Sequence, residues 1–319
     1  MALSLRNVLN ENGKQNDRFG SAACKIGLGV DSDVARWAIK EIKEYFDTYK
    51  EWIHSVVLFG SYALGQAGSH SDVDFLVLLK KGKQVDRIRK IIFDFRLNLK
   101  RSIANEDPVE IQIVDFDEKG IEHIFELSTP LAHAARHGVV IRDDGWFKTL
   151  LSRPYPKWPT KEASIHAFTQ WIVWMYYRCA IHLKHEMLTD HAPEGLCTQS
   201  GRCVGHFSGD ILARVISRML YVTLPARGLL PLCKPDVVRM AEVYGKSSLK
   251  PVVLAMDVLR NDRAITYCEF QVMMPFARKL FRECIRICGP KNQAVIKALR
   301  READIYRRIK RDLKNCNEK

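Results

Sequence analysis

The feature that most constrains this chain is a stretch of fifteen residues, Gly60-Ser61-Tyr62-Ala63-Leu64-Gly65-Gln66-Ala67-Gly68-Ser69-His70-Ser71-Asp72-Val73-Asp74, set between two short apolar runs. Val56-Val57-Leu58-Phe59 precedes it and Phe75-Leu76-Val77-Leu78-Leu79 follows. Runs of this length bounded by Gly and Ser read as buried strands. Gly60 lets the backbone turn sharply at the end of the first strand. Ser61 then opens a helical stretch, whose unbonded N–H groups and positive end suit phosphate oxygens. Asp72 and Asp74 are two apart on an extended segment, so both carboxylates point to one face. Two hard oxygen ligands on one face suit Mg²⁺ shared with the phosphates of a nucleotide. Asp-x-Asp alone also occurs in surface loops, where it caps a strand. The metal reading rests on the whole order: apolar strand, Gly-Ser, helix, Ser-Asp-x-Asp, apolar strand.

Around this stretch the pattern is that of a small α/β unit. Asp31-Ser32-Asp33 offers N-caps for a helix to about Lys50, with Val34, Trp37, Ala38, Ile42 and Phe46 on one stripe. Lys83 to Arg101 reads as a basic amphipathic helix, and Val109 to Val114, behind Pro108, as a third strand. Residues 1–30 read as a flexible arm, and 31–150 as the α/β domain. Pro154, Pro156 and Pro159 mark a linker. Beyond them the periodicity is helical over about 160–187, 209–228, 235–245, 249–260 and 266–287, with Gly289-Pro290 as the stop. A charged helix follows from about Lys291 to Asn315. The expected class is therefore α+β: a small mixed sheet with helices, then an all-α bundle over 160–290 and a basic C-terminal helix over 291–319.

The Gly-Ser…Asp-x-Asp arrangement resembles the polymerase-β-like nucleotidyltransferase superfamily, over about residues 31–147. Thr129-Pro130-Leu131-Ala132-His133-Ala134-Ala135-Arg136-His137-Gly138-Val139-Val140-Ile141 is similar to the closing segment of the minimal domains of that family. The resemblance implies that Gly60 and Ser61 hold the triphosphate, with Ser71 beside them. It implies that Asp72 and Asp74 hold Mg²⁺, two ions in all, and that a nucleoside monophosphate passes from an NTP, ATP by preference, to an acceptor hydroxyl with release of pyrophosphate. A third carboxylate is usual, from Glu110 or Asp115. Alternation in Val109-Glu110-Ile111-Gln112-Ile113-Val114 puts Glu110 and Gln112 on the polar face and Asp115 on the other. Glu110 is the choice, as third metal ligand or as general base. The same strand resembles the base-bearing strand of aminoglycoside nucleotidyltransferases.

The helical half resembles HEPN-type bundles, on Ala226-Arg227-Gly228-Leu229-Leu230-Pro231 and Asp236-Val237-Val238. RNase members of that group carry an Arg with a His five to seven positions later. Arg227 is followed by Lys234 instead, and Arg178 and His182 stand only four apart, so no RNase activity is expected. The aromatic-rich stretch from His166 to Leu183 reads as bundle core. His191, Cys197, Cys203 and His206 match no paired zinc-ligand spacing and read as a plain loop.

Composition narrows the setting. No apolar run reaches the roughly 18 residues of a membrane span, and Met1-Ala2-Leu3-Ser4-Leu5-Arg6 does not start a secretion signal. Nine cysteines without a framework spacing fit free thiols in the cytoplasm. A net charge of +13 attracts phosphates, of an NTP or of RNA, and is equally the mark of a solvated basic surface with neither partner. Lys297, Arg300, Arg301, Arg307, Arg308, Lys310, Arg311 and Lys314 make the last helix either a solvated surface or a phosphate-binding tail. The expected partners are an NTP and an acceptor that is a small molecule, a protein hydroxyl or an RNA 3′ end, with no membrane. The rival to an enzyme is a degenerate domain that binds nucleotide, RNA or a partner in an antitoxin-like system.

Overall fold

The computed structural model describes residues 33–67, 71–82, 85–103, 111–179, 210–260 and 265–317. The first of these segments begins with helix α1 (Asp33–Asp47), strand β1 (Ile53–Phe59) and a single turn of helix, α2 (Gly60–Ala63). Strand β2 (Val73–Leu79), helix α3 (Val85–Ile103) and strand β3 (Ile111–Asp117) follow. Helices α4 (Glu118–Glu126) and α5 (Pro130–Arg136), strand β4 (Val139–Asp143) and helix α6 (Trp146–Ser152) complete this part.

The sheet has the order β3-β2-β1-β4 and is mixed, as expected. β1 pairs antiparallel with β2 and with β4, and β2 pairs parallel with β3. A parallel pair needs a long crossover, and α3 is that crossover. Successive residues of β2 point to opposite faces, and each face has its own core. Val73, Phe75, Val77 and Leu79 pack with Ala38, Ile42 and Phe46 of α1 and with Ile88, Ile92 and Phe95 of α3. Tyr45 lies flat on Phe95 at 3.9 Å and joins the two helices. Leu76 and Leu78 pack, with Val57, under Ile121 and Phe125 of α4, Ala132 and Ala135 of α5, and Phe147 and Leu150 of α6. The helical periodicity of α1 and α3 and the period of two in β2 thus meet on one face, which is why this unit closes where it does.

Local chemistry sets the joints. The Asp117 carboxylate accepts from Gly120 N at 2.7 Å and starts α4, and Thr129 Oγ1 caps α5 with Pro130 in its first turn. Gly138 stands where β4 crosses β1. A Cβ there would lie 2.5 Å from Val57 Cγ1 and 2.7 Å from Leu58 O, so no other residue lets the strand approach. β3 continues to Asp117, three residues beyond the Val114 that the sequence pattern predicts, and α4 and β4 are additional to the elements which that pattern predicts.

After the prolines at 154, 156 and 159 every described element is helical. Helix α7 (Lys161–Ala167) is capped by Thr160 and runs through a π-helical turn (Phe168–Ile172) into 173–179. Then come α8 (Ile211–Thr223), α9 (Lys234–Met240), α10 (Lys246–Arg260), α11 (Tyr267–Cys288) and α12 (Gln293–Asn317). Their shared core includes Phe168, Ile172, Met219, Val237, Val252, Ala277 and Cys284, all fully buried. The two halves are stitched by Thr160 Oγ1, which donates to Leu127 O at 2.9 Å, and by Ser128 Oγ, which donates to Pro156 O at 2.9 Å. Arg178 faces the buried Glu302 of α12, and His182 lies outside the described residues. So do His191, Cys197, Cys203 and His206. No helix of the described residues is long and apolar enough to cross a membrane.

Candidate active site

The site forms where β1 ends and β2 begins. Antiparallel register sets Phe59 opposite Asp74, so the next residue, Gly60, meets the Asp74 side chain. Gly60 has φ +74°, a left-handed conformation that other residues adopt at a cost. A Cβ on it would stand 2.6 Å from Asp74 Oδ2. Both facts require glycine here. The helix that follows is shorter than the sequence implied, the single turn α2. Its buried Tyr62 anchors it, and Gln66 N donates to Ser61 O at 2.8 Å as the chain leaves it. Ser61 and Ser71 are both half-buried at this edge.

Asp74 shares its face of β2 with Leu76 and Leu78. Asp72 lies just before β2 and reaches the same side, where it meets Gln112, the residue aligned with Asp74. On the neighbouring parallel strand, Gln112 is aligned with Asp74, and its Nε2 donates to Asp72 Oδ2 at 3.3 Å. Asp115 belongs to the other face of β3, where it accepts from Arg89 Nε of α3 at 2.8 Å. Glu110 lies outside the described residues.

The helical half also reaches this place. Lys234, the first residue of α9, puts Nζ 3.2 Å from the same Asp72 Oδ2 that Gln112 contacts. The thiol of Cys233 donates to Gln66 Oε1 at 2.9 Å. Burial pushes the Cys233 pKa up to about 11, so it is a neutral donor there. Asp236 accepts from Leu232 N at 3.1 Å and from Arg239 at 2.9 Å, and so fixes the turn that carries Lys234. Tyr221 of α8 is within electrostatic reach of Asp74. Burial, followed by Cys233, Asp236 and Asp74, raises its phenol above the ordinary range.

Two carboxylates beside a glycine-opened turn make a hard, anionic oxygen surface. Among the described residues no three His, Cys, Asp or Glu side chains cluster as a ligand set. An oxygen pair of this kind suits a cation that takes its remaining ligands from water and phosphate, as Mg²⁺ does.

Residues 39–129 match the family of nucleotidyltransferase domains. The match runs from α1 to the cap of α5 and takes in Gly60, Ser61, Asp72, Asp74 and Gln112. The chain is also similar to a Methanocaldococcus jannaschii protein, MJ0141, that carries the provisional name protein adenylyltransferase. The two are 44% identical over 55 residues, which is 17% of this chain and 56% of that one. The helical half lies beyond the nucleotidyltransferase match.

Lys234, Tyr221 and Gln66 had no place in the sequence-based site, and Gln112 was placed only as a neighbour on a polar face. Lys234 stands 162 residues from the aspartate it meets, in a segment whose own pattern speaks only of helix capping. Nothing local marks it.

Proposed function

We propose that this protein is an Mg²⁺-dependent nucleotidyltransferase that moves AMP from ATP to an acceptor hydroxyl. The observation that carries the reading is the same-face pair Asp72 and Asp74, with Gly60 packed against Asp74 so closely that a Cβ would lie 2.6 Å from its carboxylate. The acceptor oxygen forms its bond to the α-phosphorus, the bond from that phosphorus to the β-bridging oxygen breaks, and pyrophosphate leaves with the electron pair. In this reading Asp72 and Asp74 hold the metal, which when bound neutralises phosphate charge and orients the reacting oxygens. Gly60 and Ser61 seat the triphosphate at the turn, and Ser71 steadies the approach to Asp72. Glu110 takes the acceptor proton or adds a metal ligand. Among the described residues Cys233, Cys268, Cys284 and Cys288 are free thiols, which supports a reducing, cytoplasmic setting.

For the acceptor, the name of the archaeal relative favours a protein hydroxyl. A second reading, an RNA end, rests on one observation. Lys297, Arg300, Arg301, Arg307, Arg308 and Arg311 are all exposed along α12, at helical spacing.

The test is incubation of the purified protein with Mg²⁺, cell extract and ATP labelled at the α- or the γ-phosphate. The reading expects label from the α position alone, in a fraction that protease removes. Label that RNase removes moves the acceptor to RNA. Transfer from the γ position overturns the reaction itself.

A further inference from the structure

The structure points to a second role at this site, resting on the metal-holding reading of Asp72 and Asp74 given above. We infer that Lys234 is the cation that Asp72 keeps while no nucleotide is bound, and that it passes to the triphosphate when metal and nucleotide arrive together.

Three observations carry this. First, Asp72 Oδ2 is contacted from two sides, by Lys234 Nζ at 3.2 Å and Gln112 Nε2 at 3.3 Å. The Asp72 side chain is only 19% exposed. A carboxylate shielded from water gains more from a cation set against it than an exposed one does. Second, the lysine has freedom that the aspartate lacks. Its side chain is 43% exposed, and what the structure holds firmly is its base, through Cys233 on Gln66 and Asp236 on Leu232 N. The ammonium can therefore swing while α9 stays in place. Third, an ammonium and a divalent ion cannot share one carboxylate oxygen without strong repulsion at that range, even under generous screening. A metal that binds Asp72 through Oδ2, the oxygen that Lys234 contacts, displaces the lysine. The nearest place for the displaced charge is a phosphate delivered to the Gly60–Ser61 turn.

The consequence is coupling. A free divalent ion competes with the protein's own lysine and binds weakly. The same ion delivered with a nucleotide binds well, because its phosphates give the lysine a new partner. Lys234 also makes the helical half part of the site: α9 supplies the group that registers whether a triphosphate is present.

The measurement is the electron paramagnetic resonance signal of free Mn²⁺, which falls as the ion binds, on the full-length protein. It is made alone and with a non-hydrolysable ATP analogue. Lys234→Met is expected to bind Mn²⁺ alone at least about tenfold more tightly than the unaltered protein, and Mn²⁺ with the analogue several-fold more weakly. Lys234→Arg keeps the charge and should follow the unaltered protein in both arms. Unchanged or weaker binding of Mn²⁺ alone to Lys234→Met, shown to be folded by circular dichroism, overturns the inference. If that variant does not fold, Lys234→Gln takes its place in the same two arms. Tighter binding of the ion alone with undiminished binding of the analogue complex overturns the transfer to phosphate. Asp72→Asn separates the two levels of the argument. If it leaves Mn²⁺ binding untouched, the metal site is elsewhere, and that failure belongs to the proposed function rather than to Lys234.

Discussion

Gly60 and Asp74 stand so close across the β1–β2 register that a single methyl carbon on the glycine would come within 2.6 Å of the aspartate's Oδ2. Gly60→Ala should therefore do two separable things. At φ +74° the alanine backbone is strained by roughly 1–2 kcal/mol, visible as a lower urea midpoint. The added carbon should also push the carboxylate aside and cut transfer by well over the factor that the stability loss alone would explain. Wild-type turnover in a folded Gly60→Ala protein would mean that the position of Asp74 does not matter.

Asp72→Asn and Asp74→Asn should each lower Mg²⁺-dependent transfer by about a hundredfold or more while the fold persists, because each removes a charge from the oxygen pair. Ser61→Ala should lose less. It removes one hydroxyl and leaves the N–H groups of the turn, a loss of about 1.5–3 kcal/mol for a hydrogen bond to a charged partner. The check is turnover of the three purified variants side by side. A Ser61→Ala protein as inactive as the aspartate variants would reverse the ranking.

The third carboxylate can be tested by faces. Gln112 is aligned with Asp74, whereas Asp115 is paired with Arg89 on the opposite side of β3. Asp115→Asn should cost only the surface pair, about 0–1 kcal/mol, and leave transfer unchanged. Glu110→Gln should cut turnover by about 10²- to 10⁴-fold if the residue is the base, with metal and nucleotide binding preserved. Weakened Mg²⁺ dependence in the same variant would make it a ligand instead. Loss of activity in Asp115→Asn alone would rule out Glu110 for either task.

His133 ties acid stability to the joint between the two halves. Its Nε2 is 2.8 Å from Ser128 Oγ, and that hydroxyl donates to Pro156 O at 2.9 Å, so Nε2 carries a proton and donates it to the serine oxygen. Burial first, then the charges of Arg136 and His137, pull its pKa down from 6.5 to about 4. In the unfolded chain it takes a proton near 6.5, so between that pH and about 4 the unfolded state binds more protons. Stability therefore rises with pH across this window and is lost on acidification through it, by on the order of 3 kcal/mol in full. Urea unfolding at pH 7.5 and 4.5 measures this, and His133→Asn should flatten the difference. Glu118 acts lower on the scale. The hydrogen bond from His54 holds its carboxyl below the usual range, so its contribution disappears only as pH falls through that depressed value.

Much of the sheet was legible because its signals are local. The stripe Ala38, Ile42 and Phe46, and the apolar runs on either side of the Gly60–Asp74 stretch, state their own period and became buried faces. The common face of Asp72 and Asp74 follows from the pleat. Strand β4 was not legible. Val139–Asp143 is half-buried or exposed throughout, and its strand character comes from lying along β1. Helix α4 was hidden by Gly120 in its first turn, a weak helix former that here supplies the N–H for the Asp117 cap. Lys234 and Tyr221 could not be read as site residues at all, since tertiary packing alone brings α8 and α9 to the aspartates. The short α2 is a case of the opposite kind. A helix-like pattern after Ser61 became one turn because Gly65 takes φ +66° and the chain must return to β2.

The distance along the chain between Asp72 and Lys234 also has a temporal meaning. A ribosome adds about 5–20 residues per second, so the 162 residues between them take on the order of ten seconds or more to appear. The carboxylates and their sheet leave the exit tunnel well before the lysine does. For that interval a newly made chain carries Asp72 without Lys234 beside it, open to whatever cations the surrounding fluid supplies. The order of synthesis, rather than any later event, decides which positive charge meets Asp72 first.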